Sequence, residues 1–423
     1  MQERRSWIKR VWRALGPGFI TGAADDDPSG IATYSQTGAG FGFSQLWTVL
    51  FAYPFMVTMQ EMSGRIGMVT GMGLSGIIKK HYSRHVLRIA VSVLFFANVV
   101  NIGADLGAMA ASAQLLFDVP FFVLLLGITV FVVLLEILVP YPTYAKFLKY
   151  LALSLLAYVA TAFIIKQDWG HIAYSALIPH PVFTKGYLLN IAAILGTTIS
   201  PYLFFWQADQ EVEEEIVHHK VRAMGKGVPK ISISDITIMR FDTAIGMLFS
   251  QIVTFFIIVT VASTLGAKGI HTIDTAAQAA SALKPVAGNF AFLLFTLGIF
   301  GTGLLAVPVL AGSAAYAVAE ALGWRASLGA RFRQAHGFYG IIIVAMLVGL
   351  LVNFTSIGAM RMLYYAAVLN GLLAPPLMVL ILLIGNNKKI LGAYTNSRRS
   401  NILGWIIAGV MGAVSIALLI SFL

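Results

Sequence analysis

This chain reads as an all-α membrane protein of about eleven helical spans. Three observations predict it: 58% of the residues are hydrophobic against 11% charged, the apolar residues fall in runs long enough to cross a bilayer, and Lys and Arg lie mostly on one side of those runs. A helical span needs roughly 20 apolar residues to cross a hydrocarbon core of about 30 Å. A chain of 423 residues filled with such runs leaves no room for a large soluble domain. Its mean hydropathy of +0.82 also lies far from that of ordinary soluble domains.

Apolar runs bounded by Gly, Pro and charge predict spans near 16–40, 44–66, 88–117, 121–139, 145–165, 187–208, 240–265, 288–322, 337–354, 357–384 and 402–423. With the N-terminus inside, Arg4, Arg5, Lys9, Arg10 and Arg13 are cytoplasmic, and only Lys166, Lys185, Lys268, Lys284 and Arg361 fall outside. Shifting the count by one span would scramble that asymmetry, so count and orientation support each other. The expected location is the cell (inner) membrane, with a cytoplasmic N-terminus and an extracytoplasmic C-terminus. The basic N-terminal stretch lacks a small-x-small cleavage pattern and is expected to be retained.

The absence of cysteine excludes disulfides, thiolate metal sites and iron–sulfur clusters. A net charge of +11 does not predict nucleic-acid binding, because the basic residues sit in short runs between apolar segments.

Spans one and six share an anomaly. Asp25-Asp26-Asp27-Pro28-Ser29-Gly30 interrupts the first, and Gly196-Thr197-Thr198-Ile199-Ser200-Pro201 interrupts the sixth. Interrupted segments at corresponding places in two halves point to an inverted five-helix repeat with a substrate site at the repeat interface. The expected organisation is one transmembrane domain over 1–423, with repeats at 1–165 and 186–384 and a peripheral eleventh span at 402–423. Non-helical backbone at membrane depth survives only where it is buried in protein or lines a wet cavity, so the two breaks are expected to face each other.

Three consecutive aspartates in a span are the strongest chemical signal, each costing about 2.5 kcal/mol or more at a helix centre. Asp27, beside the proline, is the expected cation ligand. Asp25 and Asp26 are expected to line the vestibule, cap a half-helix or meet a helix dipole. Span six offers the backbone freed by Pro201, the hydroxyls of Thr197, Thr198 and Ser200, and Tyr202. A carboxylate with hydroxyls and carbonyls suits Mg²⁺, Ca²⁺ or Mn²⁺ better than softer metals.

The chain resembles the NRAMP family of divalent-metal transporters. Gly16-Pro17-Gly18-Phe19, Asp27-Pro28-x-x-Ile31-Ala32-Thr33, Asp105-Leu106 and Gly196-x-Thr198-Ile199-x-Pro201 carry the resemblance. It implies a leucine-transporter-like fold importing divalent cations by alternating access, with the metal as transported substrate, no cofactor, and a monomer sufficient for function. The departures are informative. Where the family reads Asp-Pro-Gly-Asn, this chain has Asp27-Pro28-Ser29-Gly30; where it reads Ala-x-x-Met-Pro-His, this chain has Thr197-x-x-Ser200-Pro201-Tyr202. The thioether that favours transition metals is absent, and the cavity is expected to widen around a hydrated ion. These changes resemble the prokaryotic NRAMP-related magnesium transporters, with Asp27, Gly30, Thr197 and Ser200 as the metal site and Mn²⁺ also carried.

Proton-coupled members carry His after the sixth-span proline and an Asp-Leu-Ala-Glu run in span three. Here these positions read Tyr202 and Asp105-Leu106-Gly107-Ala108, so uncoupled transport is expected, with Asp105 either a proton carrier or a structural acceptor. Asp209 is placed on the ion pathway, whereas the run Glu211, Glu213, Glu214 and Glu215 is read as a solvated face and His218 and His219 as loop residues. Glu61, Glu136, Asp242 and Glu320 are read as span-end acids; Asn98, Asn101 and Asn370 receive no role.

The alternatives are a proton-coupled Mn²⁺ or Fe²⁺ importer, an amino-acid symporter of the same fold, whose anionic substrate the aspartates would repel, and a membrane protease suggested by Gly73-Leu74-Ser75-Gly76. No histidine lies within a predicted span to act as that protease's general base.

Overall fold

The computed structural model describes residues 16–139, 153–182 and 184–421, as helices and loops. The N-terminal basic cluster, the first part of the predicted span 145–165 and the final residues Phe422 and Leu423 lie outside them. The longer helices are α1 (Pro17–Asp25), α2 (Pro28–Phe41), α3 (Trp47–Thr70), α4 (Leu74–His81), α5 (Arg84–Ala113), α6 (Phe121–Leu138), α7 (Leu156–Ile164), α8 (Trp169–Leu177), α9 (Lys185–Thr198), α10 (Pro201–Val217), α11 (Ile233–Thr264), α12 (Ala291–Leu322), α13 (His336–Val352), α14 (Ala359–Gly385) and α15 (Arg398–Ile420). Among the described residues, 7 helical segments are long and apolar enough to cross a membrane, with α9 and α10 joined as one of them. Span one is divided between α1 and α2, α13 is a shorter apolar helix, and α3 buries the Glu61–Arg65 pair at 2.8 Å.

Both breaks are built the same way. Each helix stops, one residue takes an extended conformation (Asp27 at φ −66°, ψ 170°; Ser200 at φ −77°, ψ 131°), and a proline opens the next helix. Proline disfavours the helical conformation in the residue before it but is well suited to the first helical position. The interruptions are therefore narrower than expected: Asp26–Asp27 and Ile199–Ser200 are non-helical, while Pro28–Gly30 and Gly196–Thr198 belong to helices.

Each broken span is held by a helix from the other half of the chain. Span one lies along α11, where a β-carbon on Gly22 would stand 2.2 Å from the Gly246 carbonyl carbon. Span six lies along α3, where a β-carbon on Gly67 would stand 2.1 Å from the Ala208 carbonyl oxygen. Small residues let the backbones approach this closely. Asp242 of α11 accepts hydrogen bonds from Gly16 N at 3.0 Å and Gly18 N at 2.8 Å, capping donors that α1 leaves unpaired. It is thus a helix cap, not merely an interfacial acid. The last helix, α15, packs on α14, α9 and α3 and turns Trp405, Ile406, Val410 and Leu419 outward, as a peripheral lipid-facing helix does.

Candidate cation site

The two breaks face each other. Ser29 Oγ lies 3.5 Å from Thr197 Oγ1, and the Tyr202 hydroxyl donates to the Ala24 carbonyl at 3.2 Å. Asp27 sits at this junction, 1% exposed. One of its oxygens, Oδ1, accepts from Ser29 Oγ at 2.6 Å and from Gly30 N at 2.7 Å; the other, Oδ2, accepts from Asn101 Nδ2 at 2.9 Å and faces the Tyr202 hydroxyl at 3.5 Å. The bond from Gly30 N makes Asp27 the N-cap of α2, so one carboxylate closes the helix start and presents charge to the gap between the breaks.

Asp105 is fully buried one helical turn beyond Asn101 on α5, and neither of its oxygens has a hydrogen-bond partner. Asp25 and Asp26 do not line an open vestibule. They are buried against α11, where Ser250 Oγ donates to Asp25 Oδ2 at 2.6 Å and to Asp26 Oδ1 at 3.2 Å. Successive residues at a helix end point in different directions, and a carboxylate at the unfavourable C-terminus of α1 needs a donor from outside the helix. The remaining oxygens, Asp25 Oδ1 and Asp26 Oδ2, have no partner. Among the described residues, the ion pairs Arg65–Glu61, Arg240–Glu61, Lys220–Glu215, Lys220–Asp235 and Arg361–Asp274 all lie elsewhere. Among those residues, no basic side chain neutralises these four aspartates.

Not every expected hydroxyl points into the gap. Ser200 Oγ donates to Gly196 O and Thr197 O, both at 2.8 Å, and Thr198 Oγ1 donates to Ile194 O at 2.8 Å. Both satisfy backbone at the end of α9, as Ser and Thr do at membrane-helix kinks. Thr197 alone of the three turns towards the first break. The space expected at Gly30 is occupied: a β-carbon there would meet the Tyr34 ring at 3.1 Å and Thr197 Oγ1 at 3.3 Å.

A family model described as natural resistance-associated macrophage protein-like, or Nramp, matches residues 18–421. The chain belongs to the Nramp family. A protein named divalent metal cation transporter MntH in Yersinia pestis (strain Pestoides F) is 27% identical over 99% of this chain and 98% of its own length. One of the same name in Klebsiella pneumoniae (strain 342) is 25% identical over 94% and 91%. Among solved structures, the Eremococcus coleocola manganese transporter, crystallised with an aromatic bis-isothiourea substituted compound, superposes with a TM-score of 0.74 at 17% identity, covering 98% of this chain and 87% of that one. Mhp1, a nucleobase-cation-symport-1 family transporter in a closed conformation, superposes at 0.58 with 15% identity over 96% and 90%. The fold is the leucine-transporter-like one that the family resemblance implies.

Below the breaks, this Nramp chain departs from what its sequence predicts. Glu211 and Glu215 are not a solvated face: both are 3% exposed, bonded to Gln207 at 2.8 Å and Lys220 at 3.2 Å. Glu213 accepts from Tyr316 at 2.8 Å and Ser327 at 3.1 Å, and only Glu214 stands open, paired with the exposed His218. These pairings let α10 run on to Val217, past the predicted end of span six. Asp209 is buried with Oδ1 unpartnered, against Gly73 and next to Glu320. The oxygens of Glu320 accept from Gly73 N at 2.8 Å and Gly76 N at 2.9 Å, so it caps the N-terminus of α4. Ser75 in that first turn is buried, and among the described residues its hydroxyl has no hydrogen-bond partner.

Sequence patterns alone give no role to Asn101 or Ser29. The spacing of Asn101 and Asp105, four residues apart on one helix face, is the available signal for the first. Among the described residues, no group of three His, Asp or Glu side chains converges as a conventional metal cage.

Proposed function

We propose that this Nramp chain imports divalent cations by alternating access, with Mg²⁺ as the principal cargo, Mn²⁺ also carried, and no coupling to protons. Divalent-cation transport follows from family membership and from relatives named for it; the choice of Mg²⁺ and the absence of coupling are our reading. One observation carries it: a buried carboxylate, Asp27, stands where two helix breaks meet, among further carboxylate oxygens that nothing basic among the described residues neutralises. Isolated buried charge is too costly to persist without a compensating cation or proton.

In this reading Asp27 is the anionic ligand, and Thr197 and the backbone at Gly30 and Ser200 supply neutral oxygens, while the Ser200 hydroxyl stays on the carbonyls of α9. Tyr202, at 3.5 Å the longest of the Asp27 contacts, is the one an arriving ion displaces. Asp25, Asp26, Asp105, Thr198 and Asp209 act around the site and its exit rather than as direct ligands. Mg²⁺ is usually held through one or two carboxylates with part of its water shell retained, which this sparse oxygen set suits. Lacking a thioether, the site has little means of preferring Mn²⁺. We also read residues 1–165 and 186–384 as the two repeats, with the N-terminus cytoplasmic.

A proton-coupled Mn²⁺ importer is the second reading, favoured by Asp105, a buried carboxylate with no partner. Purified protein in liposomes separates the two. Our reading expects Mg²⁺ uptake, competition by Mn²⁺ and no internal acidification, and it expects Ser200→Met to impair Mg²⁺ more than Mn²⁺. Mn²⁺ uptake with acidification and no Mg²⁺ flux would establish the alternative.

A further inference from the structure

A cavity of about 500 Å³ opens where the end of α4 and the start of α5 meet the end of α12. Lys79, Arg84 and Arg88 line it together with the apolar side chains of Leu87, Val91 and Leu322. Arg84 and Arg88 are four residues apart, so they share a helix face and repel each other. They also stand in the first turns of α5, the helix end that disfavours positive charge. Among the described residues neither forms an ion pair with a carboxylate. Lys79 reaches the main-chain oxygen of Glu320 at 3.3 Å, not its carboxylate, which the α4 amides occupy. Arg84 and Arg88 are thus gathered without a carboxylate partner at a helix end that penalises them, with Lys79, at the favourable C-terminal end of α4, beside them.

The apolar wall decides what kind of anion fits. A free phosphate needs no such wall, whereas a phospholipid brings acyl chains below its phosphodiester. Ile89 and Phe96 of α5, 65% and 57% exposed, face outward beside the groove, so it opens towards the hydrocarbon. Its place at the basic, cytoplasmic ends of the helices suits an anionic headgroup there. We propose that this groove is a binding site for an anionic phospholipid, its phosphodiester on Arg84, Arg88 and Lys79 and its chains along Leu87, Val91 and Leu322. The site does not depend on which cation is carried.

The full chain is purified, and the rise in melting temperature on adding phosphatidylglycerol is compared with that on adding phosphatidylcholine, for the wild type and three variants. The wild type and Arg84→Lys/Arg88→Lys rise with phosphatidylglycerol only. Arg84→Gln/Arg88→Gln binds it roughly tenfold to thirtyfold more weakly, while Arg398→Gln/Arg399→Gln, removing an exposed arginine pair at the start of α15, keeps the full response. The proposal is overturned if phosphatidylcholine stabilises equally, if Arg398→Gln/Arg399→Gln loses the response as fully, or if inorganic phosphate alone reproduces it. If Arg84→Gln/Arg88→Gln does not fold, Arg84→Lys/Arg88→Lys decides: loss of the response in that variant also overturns the proposal.

Discussion

At the scale of single residues, the site depends on what holds Asp27 in place. Its Oδ2 receives one amide, from Asn101 at 2.9 Å, and a hydrogen bond to a charged group contributes about 1.5–3 kcal/mol. Asn101→Ala is therefore expected to lower Mg²⁺ uptake at subsaturating concentration roughly tenfold, measured in proteoliposomes. Thr198→Val, which removes a hydroxyl bonded only to Ile194 O, is expected to stay within about twofold of wild type, because the backbone bond it loses is worth little in the presence of the helix. Equal losses in the two variants would mean that neighbouring polarity, not the orientation of Asp27, sets the rate.

At the scale of elements, the breaks work because their flanks are rigid. Gly22 meets the Gly246 backbone at a distance that no β-carbon tolerates, so Gly22→Ala must push α1 from α11. Overpacking costs about 1–3 kcal/mol, and a melting temperature several degrees lower is the expected result; an unchanged one would contradict the packing described. This scale also shows what could be read in advance. Asp27-Pro28 and Ser200-Pro201 mark both breaks, where proline disfavours the helical conformation of the residue before it, although Pro54, Pro308, Pro375 and Pro376 stay inside helices. The bonds of Glu213 to Tyr316 and Ser327, the capping by Asp242 and the bond from Asn101 are not legible, since each needs a partner distant in sequence. Although Gln207 and Lys220 are near Glu211 and Glu215, the burial of these two acids depends on the elements packed over them. The hydroxyls of Ser200 and Thr198 mislead for a related reason: backbone carbonyls at a helix end compete for them, and the residue type alone does not say which partner wins.

At the scale of the molecule, hydrogen bonds tie the described elements together on both sides of the junction. On the α2–α9 side, Asn190 Nδ2 donates to Thr37 Oγ1 at 2.8 Å and also to Gln45, and Gln45 in turn donates to Tyr187 O at 3.2 Å. On the opposite side, Ser313 Oγ donates to Tyr202 O at 2.9 Å and Glu320 clamps α4. Alternating access requires contacts of this kind to open on one side at a time. Removing the Asn190 amide should favour opening on its own side by roughly fivefold per lost bond of about 1 kcal/mol. Because the chain contains no cysteine, Thr197→Cys gives a single label site, and its reaction with a membrane-impermeant thiol reagent should quicken when Asn190→Ala is added. No change in rate would mean that the Asn190 cluster does not hold the gate.

The most direct measurement is Mg²⁺ uptake into proteoliposomes by the wild type and by Asp27→Ala, with Asp25→Asn beside them to separate one acid from its neighbours. The account predicts uptake by the wild type, measurable uptake by Asp25→Asn and none by Asp27→Ala. Uptake by Asp27→Ala at the wild-type rate would contradict it, whatever the other variants did.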